Sequence, residues 1–146
     1  MVHSHDKEMK RAVAQMLIEQ DLEPIILDEQ PDQGLKTIIG KIIFYIEDVS
    51  FAVVLFSPDD KGYITEQGPK NAKSRARQNV ILELGLCVGK LGRDNIAVLF
   101  KDDINFERPS DIDGVLYKPF DNDEKWKSEL VKELQSLGYD VDTNRA

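Results

Sequence analysis

The chain has 146 residues, a length that suits one domain built around one hydrophobic core. Its formal net charge of −8 disfavours non-specific binding to nucleic acid or to an anionic membrane surface. With a single cysteine, Cys87, the chain has neither an intrachain disulfide nor a cysteine-based metal site, as is usual in a reducing compartment. No apolar run is long enough to span a bilayer. We therefore expect a cytoplasmic domain without nucleic-acid or membrane contacts.

The first third of the chain alternates between helical periods and an apolar run. Residues 7–19 carry apolar side chains at helical spacing, namely Met9, Ala12, Val13, Met16 and Leu17. The apolar run 24–27 follows, and the polar loop 28–34 separates it from a second predicted helix. The apolar face of that helix comprises Leu35, Ile38, Ile39, Ile42, Ile43 and Ile46. This succession predicts a helix, a strand and a second helix.

The middle of the chain begins with a buried strand. The run 51–56 has no polar interruption, which is typical of a strand covered on both faces of a parallel sheet, and it ends at the polar turn 57–60. A long polar loop, residues 61–74, precedes a third predicted helix, which stops at the glycines between 89 and 92.

Two further strands and a helix complete the pattern. The run 96–100 predicts a strand, and residues 115–117 predict an edge strand that Pro119 ends. The last helix is predicted over about residues 122–137. Its inward-facing residues are Trp126, Leu130, Val131 and Leu134.

Repeated strand–helix units imply an α/β fold with a parallel sheet, right-handed crossovers and helices on both faces. A first strand of residues 1–3 gives five predicted strands, and the order 2-1-3-4-5 makes the fold flavodoxin-like and doubly wound. Ligands of such sheets bind beyond the carboxyl ends of the strands, near the reversal of strand order. The segments predicted there are residues 3–6, 28–34 and 57–60, and the start of the third helix.

One acidic residue, Glu83, interrupts the apolar third helix. Its neighbours in sequence are Val80, Ile81, Leu82 and Leu84. A carboxylate in such surroundings is costly to desolvate unless it is paired or reaches a cleft. Glu83 is therefore a candidate functional residue. The alternative is a glutamate that reaches solvent or forms a salt bridge with Arg75 or Lys90.

An ordered series of motifs extends over nearly the whole chain. It comprises Val-His-Ser-His-Asp at 2–6, Glu-Pro-Ile-Ile-Leu at 23–27, Glu-Gln-Pro-Asp-Gln-Gly at 29–34, Phe-Ala-Val-Val-Leu-Phe-Ser-Pro-Asp-Asp at 51–60, Arg-Ala-Arg-Gln-Asn-Val at 75–80, Glu-Leu-Gly at 83–85, Gly-Lys-Leu-Gly at 89–92 and Pro-Ser-Asp-Ile-Asp-Gly at 109–114. This series resembles bacterial TIR-like (Toll/interleukin-1 receptor-like) nucleotide-binding domains of anti-phage effectors. The chain departs from that family at Ser4, where glycine is usual, and at its start, where several apolar residues expected before Val2 are missing.

The resemblance implies cleavage of the nicotinamide–ribose bond of NAD, with NAD as substrate and without a further cofactor or metal. In that family a glutamate on the helix after the third strand is catalytic, and Glu83 matches it. Breaking this bond leaves an oxocarbenium-like ribose, while nicotinamide departs neutral and needs no acid. A carboxylate can stabilise the developing charge and orient the attacking water, or an adenine nitrogen if the product cyclises.

The turn after the predicted first strand holds three candidate substrate-binding residues. His3, Ser4 and His5 can hydrogen-bond ribose or phosphate, next to a helix N-terminus. Two histidines at this spacing are no metal signature without further ligands. Asp6 is expected simply to cap the helix that starts at Lys7.

Four further substrate-binding candidates lie in two segments. Gln33 and Gly34 fall in what the family calls the BB loop, which gates the site and contacts a neighbouring subunit; alternatively this is an ordinary mobile loop. Arg77 can reach the pyrophosphate by paired donors, or it is a surface cation. Asn79 lies four residues before Glu83, where it can orient the carboxylate.

Three other functions compete with an NAD glycohydrolase. A noncatalytic TIR module would only bind nucleotide and oligomerise. A response-regulator receiver shares the topology, and Asp6, Asp59 and Lys101 imitate part of its site, but Lys101 follows the fourth strand instead of the fifth. A nucleoside-processing transferase would also use a carboxylate for N-glycosidic chemistry.

The resemblance also implies partners. We expect a homo-oligomer when the domain is activated and a fused or associated sensor module. A central strand usually has five or six residues, yet only Met1, Val2 and His3 precede the polar turn. We therefore expect residues 1–146 to form a single TIR-like domain excised from a larger protein.

Overall fold

The computed structural model describes residues 1–3, 5–35, 37–101, 105–112 and 114–145. Within these ranges the helices are α1 (Lys7–Glu19), α2 (Ile38–Ile46), α3 (Gln78–Leu91) and α4 (Lys125–Ser136). The strands are β1 (Ala52–Phe56), β2 (Asp60–Gly62), β3 (Lys73–Arg75), β4 (Ile96–Lys101), β5 (Phe106–Glu107) and β6 (Leu116–Phe120). The prediction of an α/β fold is confirmed, and α1 has the predicted bounds.

The main sheet consists of β1, β4 and β6, all parallel and in that order. Val54 of β1 pairs with Val98 of β4, which pairs in turn with Tyr117 of β6. All five residues of β1 are buried, so the prediction of a strand covered on both faces is confirmed.

Helices cover both faces of this sheet. On one face α2 and α3 pack against alternate strand residues, among them Ala52, Val54, Phe56, Ile96 and Val98. On the other face α1 and α4 pack against Val53, Leu55, Ala97 and Leu99. The predicted inward residues of α4 are all buried, namely Trp126, Leu130, Val131 and Leu134. The period-two alternation of strand side chains thus separates two apolar layers around a single sheet.

The predicted five-stranded sheet is not confirmed, because the two segments expected as its first and second strands form no strand of their own. Val2 makes only an isolated parallel bridge to Val54. In the run 24–27, the Leu27 N–H donates to the Met1 carbonyl at 3.2 Å. Pro24, in the second of these segments, supplies no N–H donor for a strand ladder.

A second, smaller sheet occupies part of the predicted polar loop. β2 and β3 are antiparallel, and β3 is parallel to β5. These strands are two or three residues long and mostly charged, so they lack the apolar alternation by which a strand is recognised in sequence.

The edge strand β6 continues through Pro119, which was expected to end it. Pro119 lies opposite Phe100 within the strand. At the edge of a sheet, the missing N–H can face away from the ladder, so a proline is tolerated there.

The apolar face predicted for α2 is only partly buried. Ile42 and Ile46 lie in the core. The side chains left exposed are Ile38, Ile39, Ile43 and Phe44. A cluster of exposed apolar residues on one helix is a candidate interaction surface.

Asp6 joins the start of α1 to the end of β4. Its carboxylate accepts from the Met9 N–H at 2.9 Å, as predicted for a cap, and pairs with Lys101 at 2.7 Å. Burial raises the pKa of Asp6, but the Lys101 ammonium and the Met9 N–H outweigh it and hold the pKa below the ordinary 3.8.

Asp6→Ala is expected to lower the free energy of unfolding by about 1–2 kcal/mol at neutral pH. Because the folded-state pKa is depressed, this contribution is present above pH 3.8 and is lost as the pH falls through the folded-state pKa. Urea unfolding followed by Trp126 fluorescence at neutral and acidic pH checks both statements. Asp123→Ala, which removes an exposed ion pair with Lys125, is the control and should change stability by less than about 0.5 kcal/mol. An equal effect of the two variants would contradict the capping role of Asp6.

Candidate functional site

A cavity of about 560 Å³ opens at the carboxyl edge of the main sheet, beside the starts of α1, α2 and α3. Its apolar lining consists of Val2, Leu27, Leu35, Ile38 and Val80. Its charged lining consists of Lys7, Lys10, Asp28, Asp32, Lys41, Arg77 and Glu83. His3, His5, Thr37 and Asn79 complete the wall. A concave site of this size with a few converging polar groups is typical of small-molecule binding.

Glu83 is half-buried on α3 and faces this cavity. Burial raises the pKa of Glu83, and the nearby Asp28 raises it further, while His3 and Arg77 act in the opposite direction. The salt-bridge alternative is not supported in the described residues: Lys90 pairs with Glu47 at 3.7 Å, and the Nε of Arg75 is buried without a partner. Glu83 is thus a perturbed acid in a cleft, which is the physical mark of a functional carboxylate.

Arg77 precedes α3 and is joined to the turn before α1. Its Nη1 donates to His5 Nε2 at 2.7 Å. A guanidinium stays protonated, so this ring nitrogen must be the acceptor and the imidazole is neutral in this arrangement. The His5 N–H donates to the Asp59 carboxylate at 3.2 Å, which fixes the turn to the end of β1. The charge of Arg77 is therefore held at the cavity by a neutral partner.

His3 is held by an acidic residue from another segment. Its Nε2 donates to Asp28 Oδ1 at 2.7 Å, and only 11% of the His3 side chain is exposed. Lys10 lies 3.5 Å from Asp28 Oδ2 and 2.8 Å from Glu29. Burial raises the pKa of Asp28, but the hydrogen bond and charge of His3, with the charge of Lys10, hold it below its usual range.

The cavity wall carries four cations and three carboxylates, although the chain as a whole has a net charge of −8. Its four cations are Lys7, Lys10, Lys41 and Arg77. Lys41 pairs with Asp32 at 3.0 Å, and Lys10 is engaged by Asp28 and Glu29. The start of α3, which borders the cavity, has no side-chain cap among the described residues. Basic side chains and uncapped backbone N–H groups can together hold an anion.

Comparison with known proteins identifies the family. A family model described as "CAP12/Pycsar effector protein, TIR domain" matches residues 1–122. The chain belongs to this TIR-domain family. The resemblance to bacterial TIR-like domains is thereby confirmed.

Individual relatives agree with the family assignment. The TIR domain is 45% identical to the uncharacterized protein YuaY of Escherichia coli (strain K12) over 146 residues, which is all of this chain and 47% of that protein. It is 32% identical to protein tirC of Dictyostelium discoideum over 145 residues, 95% of this chain and 70% of tirC. It is 36% identical over 70 residues to the Pycsar effector protein PaPycTIR of Pseudomonas aeruginosa, 48% of this chain and 21% of that protein. The chain thus spans about half the length of YuaY.

The structure brings together five of the predicted site residues of the TIR domain. His3, His5, Arg77, Asn79 and Glu83 all line the cavity. Within the described part of the chain, no hydrogen bond joins the side chains of Asn79 and Glu83, so an orienting role for Asn79 stays a prediction. The turn after residues 1–3, the turn after the run 24–27 and the start of α3 all contribute to this cavity. This convergence is expected at the carboxyl edge of a parallel sheet.

Two of the other three predicted site residues, Gln33 and Gly34, are not among the residues that line the cavity. Gln33 and Gly34 form an exposed turn with φ values of 50° and 75°, between the lining residues Asp32 and Leu35. Their part in substrate binding stays a prediction. Ser4 lies outside the described residues.

Several lining residues were not recognised from the sequence. Asp28 carried a signal, because it directly follows the apolar run 24–27 at the predicted carboxyl edge. Lys10 and Lys41 lie one turn inside helices, where a lysine is indistinguishable from any solvated cation. Their positions on the wall depend on how α1 and α2 pack.

The structure also shows the contacts of Asp6, Asp59 and Lys101, the three residues that imitate part of a response-regulator receiver site. Asp6 is engaged by Lys101 at 2.7 Å, and Asp59 accepts from the His5 backbone. No group of three or more histidine, cysteine, aspartate or glutamate side chains that could hold a metal occurs in the part of the chain that is described. Asp6 thus has structural partners in α1 and at the end of β4, and Asp59 has one in the turn before α1.

Cys87 lies one turn beyond Glu83 on α3 and is buried. Burial raises the pKa of its thiol to about 11, with an opposing effect of the Met1 ammonium and a further rise from Glu83. Since the thiolate is the reactive form, Cys87 packs as a small apolar side chain and is no nucleophile. None of the described helices has the length and apolar character needed to cross a membrane.

Proposed function

We propose that this TIR domain is an NAD glycohydrolase that acts as an effector in bacterial anti-phage defence. It cleaves the nicotinamide–ribose bond and releases nicotinamide together with linear or cyclic ADP-ribose. The observation that carries the proposal is Glu83, a half-buried carboxylate with a raised pKa on the wall of a cavity that also presents basic groups. The family membership supports an effector role.

The chemistry fits the geometry. As the glycosidic bond lengthens, positive charge develops on the ribose and the pyridinium becomes neutral nicotinamide, so the site needs an anion and no general acid. The Glu83 carboxylate stabilises that charge, and desolvation strengthens the interaction because fewer water molecules screen it. The same carboxylate orients the water, or the adenine nitrogen, that attacks the ribose.

The remaining wall residues bind the substrate. Arg77, presented by His5, pairs with the diphosphate. His3 and Ser4 contact ribose or phosphate, and Asn79 lies beside the reacting carboxylate. Gln33 and Gly34 close over the bound nucleotide from the loop between Asp32 and Leu35.

The direct test is chromatography of NAD incubated with concentrated protein, beside the Glu83→Ala variant under identical conditions. Equimolar nicotinamide and ADP-ribose, or nicotinamide and cyclic ADP-ribose, which contains one water less, are expected from the wild type and not from the variant. Intact NAD with folded wild-type protein, at the highest concentration and after forced dimerisation, would contradict the proposal.

A second candidate, a noncatalytic oligomerisation module, is favoured by the exposed apolar residues of α2, namely Ile38, Ile39, Ile43 and Phe44. It predicts self-association and nucleotide binding without any release of nicotinamide. The chromatographic test distinguishes it from the enzyme.

If the enzyme is completed by contacts between copies, specific activity is expected to rise with protein concentration. The same four residues of α2 are exposed, and one of them, Ile38, lines the cavity. Ile43→Asp should reduce activity at high concentration while leaving the melting temperature unchanged. Ile18→Asp, at another exposed isoleucine, on α1 and outside the cavity wall, is the control. Constant specific activity over a wide dilution series would refute the dependence. In a full-length protein, a fused or associated sensor module would supply the signal to assemble.

A further inference from the structure

Asp28 has an unusually well-defined environment for a half-exposed acid. It follows the run 24–27 and lines the cavity, and both of its oxygens are engaged. Oδ1 accepts from His3 Nε2 at 2.7 Å, and Oδ2 lies 3.5 Å from the Lys10 ammonium. Glu29 holds the same ammonium at 2.8 Å. The carboxylate is thus fixed from two sides and fixes His3 in turn.

The His3 side chain lines the same cavity as the candidate catalytic carboxylate, Glu83. His3 is nearly buried and shares the cavity wall with Glu83. Besides burial, the charged groups acting on the pKa of Glu83 are His3 and Arg77, which lower it, and Asp28, which raises it. Cys87 on the same helix also interacts with Glu83. The wall further carries Lys7, Lys10, Asp32 and Lys41. Asp28 holds two of these groups directly, His3 at 2.7 Å and Lys10 at 3.5 Å, and of the two only His3 acts on the pKa of Glu83.

We propose that Asp28 is a positioning residue, which orients the His3 imidazole through the hydrogen bond to Nε2 so that the ring meets the bound nucleotide beside Glu83. This inference rests on the proposed NAD glycohydrolase function. Asp28 itself touches no substrate: its carboxylate is occupied by His3 and Lys10. Asp28 orients the His3 ring by accepting one hydrogen bond from Nε2. An amide oxygen can accept the same hydrogen bond.

The test separates the hydrogen bond from the charge. Asp28→Ala removes the acceptor, whereas Asp28→Asn keeps an acceptor oxygen for His3 but removes the charge and the second oxygen, which faces Lys10. We expect Asp28→Ala to lower kcat/KM for NAD about tenfold and Asp28→Asn to restore it to within about threefold of wild type. If Asp28 acted on Glu83 by charge alone, both variants would move the acid limb of the pH profile to lower pH by the same amount.

A double-mutant cycle tests whether the effect passes through His3. In a His3→Gln background, Asp28→Ala is expected to change kcat/KM by less than about twofold, because the group it positions is absent. The affinity for ADP-ribose, measured by calorimetry in a Glu83→Gln background, should follow the same cycle without turnover. Glu129→Ala, which removes a half-exposed acid paired with Lys118 at 3.0 Å outside the cavity, is the matched control.

The outcomes are distinct. Multiplicative losses in the cycle, or equal losses in the alanine and asparagine variants, overturn the positioning role while NAD cleavage by the wild type stands. A wild type that neither cleaves NAD nor binds ADP-ribose overturns the proposed function and this inference with it. A lower melting temperature of Asp28→Ala with a multiplicative cycle assigns Asp28 to folding alone.

Discussion

Replacing Glu83 by glutamine is expected to reduce nicotinamide release from NAD about 10²- to 10³-fold, with the fold retained. Glutamine has nearly the same shape as glutamate but no negative charge, so it cannot balance the charge that develops on the ribose. The loss should appear in kcat more than in KM, because the charge interaction is made chiefly in the transition state. Initial rates at saturating NAD measure it.

The pH dependence of wild-type activity should reflect the same carboxylate. Burial raises the pKa of Glu83 above its ordinary 4.5, so activity should fall at a higher pH on acidification than it would for an exposed glutamate. His3→Gln should move this acid limb to still higher pH, because it removes a group that lowers the pKa of Glu83.

Stability supplies the control for Glu83→Gln. A carboxyl group with a raised folded-state pKa binds more protons in the folded than in the unfolded state between the two pKa values. Its ionisation therefore lowers stability as the pH rises from 4.5 through the folded-state pKa. Glu83→Gln should raise the melting temperature by about 1–3 °C at neutral pH and should leave it unchanged below pH 4.5.

Two results would contradict the catalytic role of Glu83. Activity of Glu83→Gln within a few-fold of wild type would remove Glu83 from the mechanism, whereas loss of folding would favour a structural role.

Arg77→Gln is expected to lower kcat/KM for NAD about 10- to 100-fold, the value of a charge-assisted hydrogen bond to phosphate. Nicotinamide riboside contains the same scissile bond and no phosphate, so its cleavage should change by less than about twofold. Inhibition by the product ADP-ribose should weaken by the same factor as kcat/KM for NAD. The three measurements together locate the guanidinium at the diphosphate.

Arg11→Gln is the matched control, because Arg11 is an exposed arginine on α1 that does not line the cavity. It should alter neither substrate. Equal losses for NAD and nicotinamide riboside in Arg77→Gln would place Arg77 at the reacting centre. Unchanged kinetics would show that Arg77 is a surface cation whose hydrogen bond to His5 has no part in substrate binding.

Much of the fold could be predicted because local periodicity reports burial. The helix at residues 7–19 and the inward face of α4 follow from apolar spacing, and the uninterrupted run of β1 reveals cover on both faces. The placement of Glu83 near the carboxyl edge of the sheet also follows, since the carboxyl ends of parallel strands lie at one edge.

What only the tertiary structure decided is pairing between distant residues. The contacts of His3 with Asp28 and of Arg77 with His5 join residues 25 and 72 positions apart, and no local pattern encodes them. The small sheet of β2, β3 and β5 is likewise built from charged segments that are strands only because they meet. The strands expected at residues 1–3 and 24–27 form only one bridge and a few backbone hydrogen bonds. A segment becomes a strand only when a neighbouring strand pairs with its backbone groups. Periodicity fixes which face of a segment is buried, but hydrogen bonds and ion pairs form only after packing brings their atoms within reach.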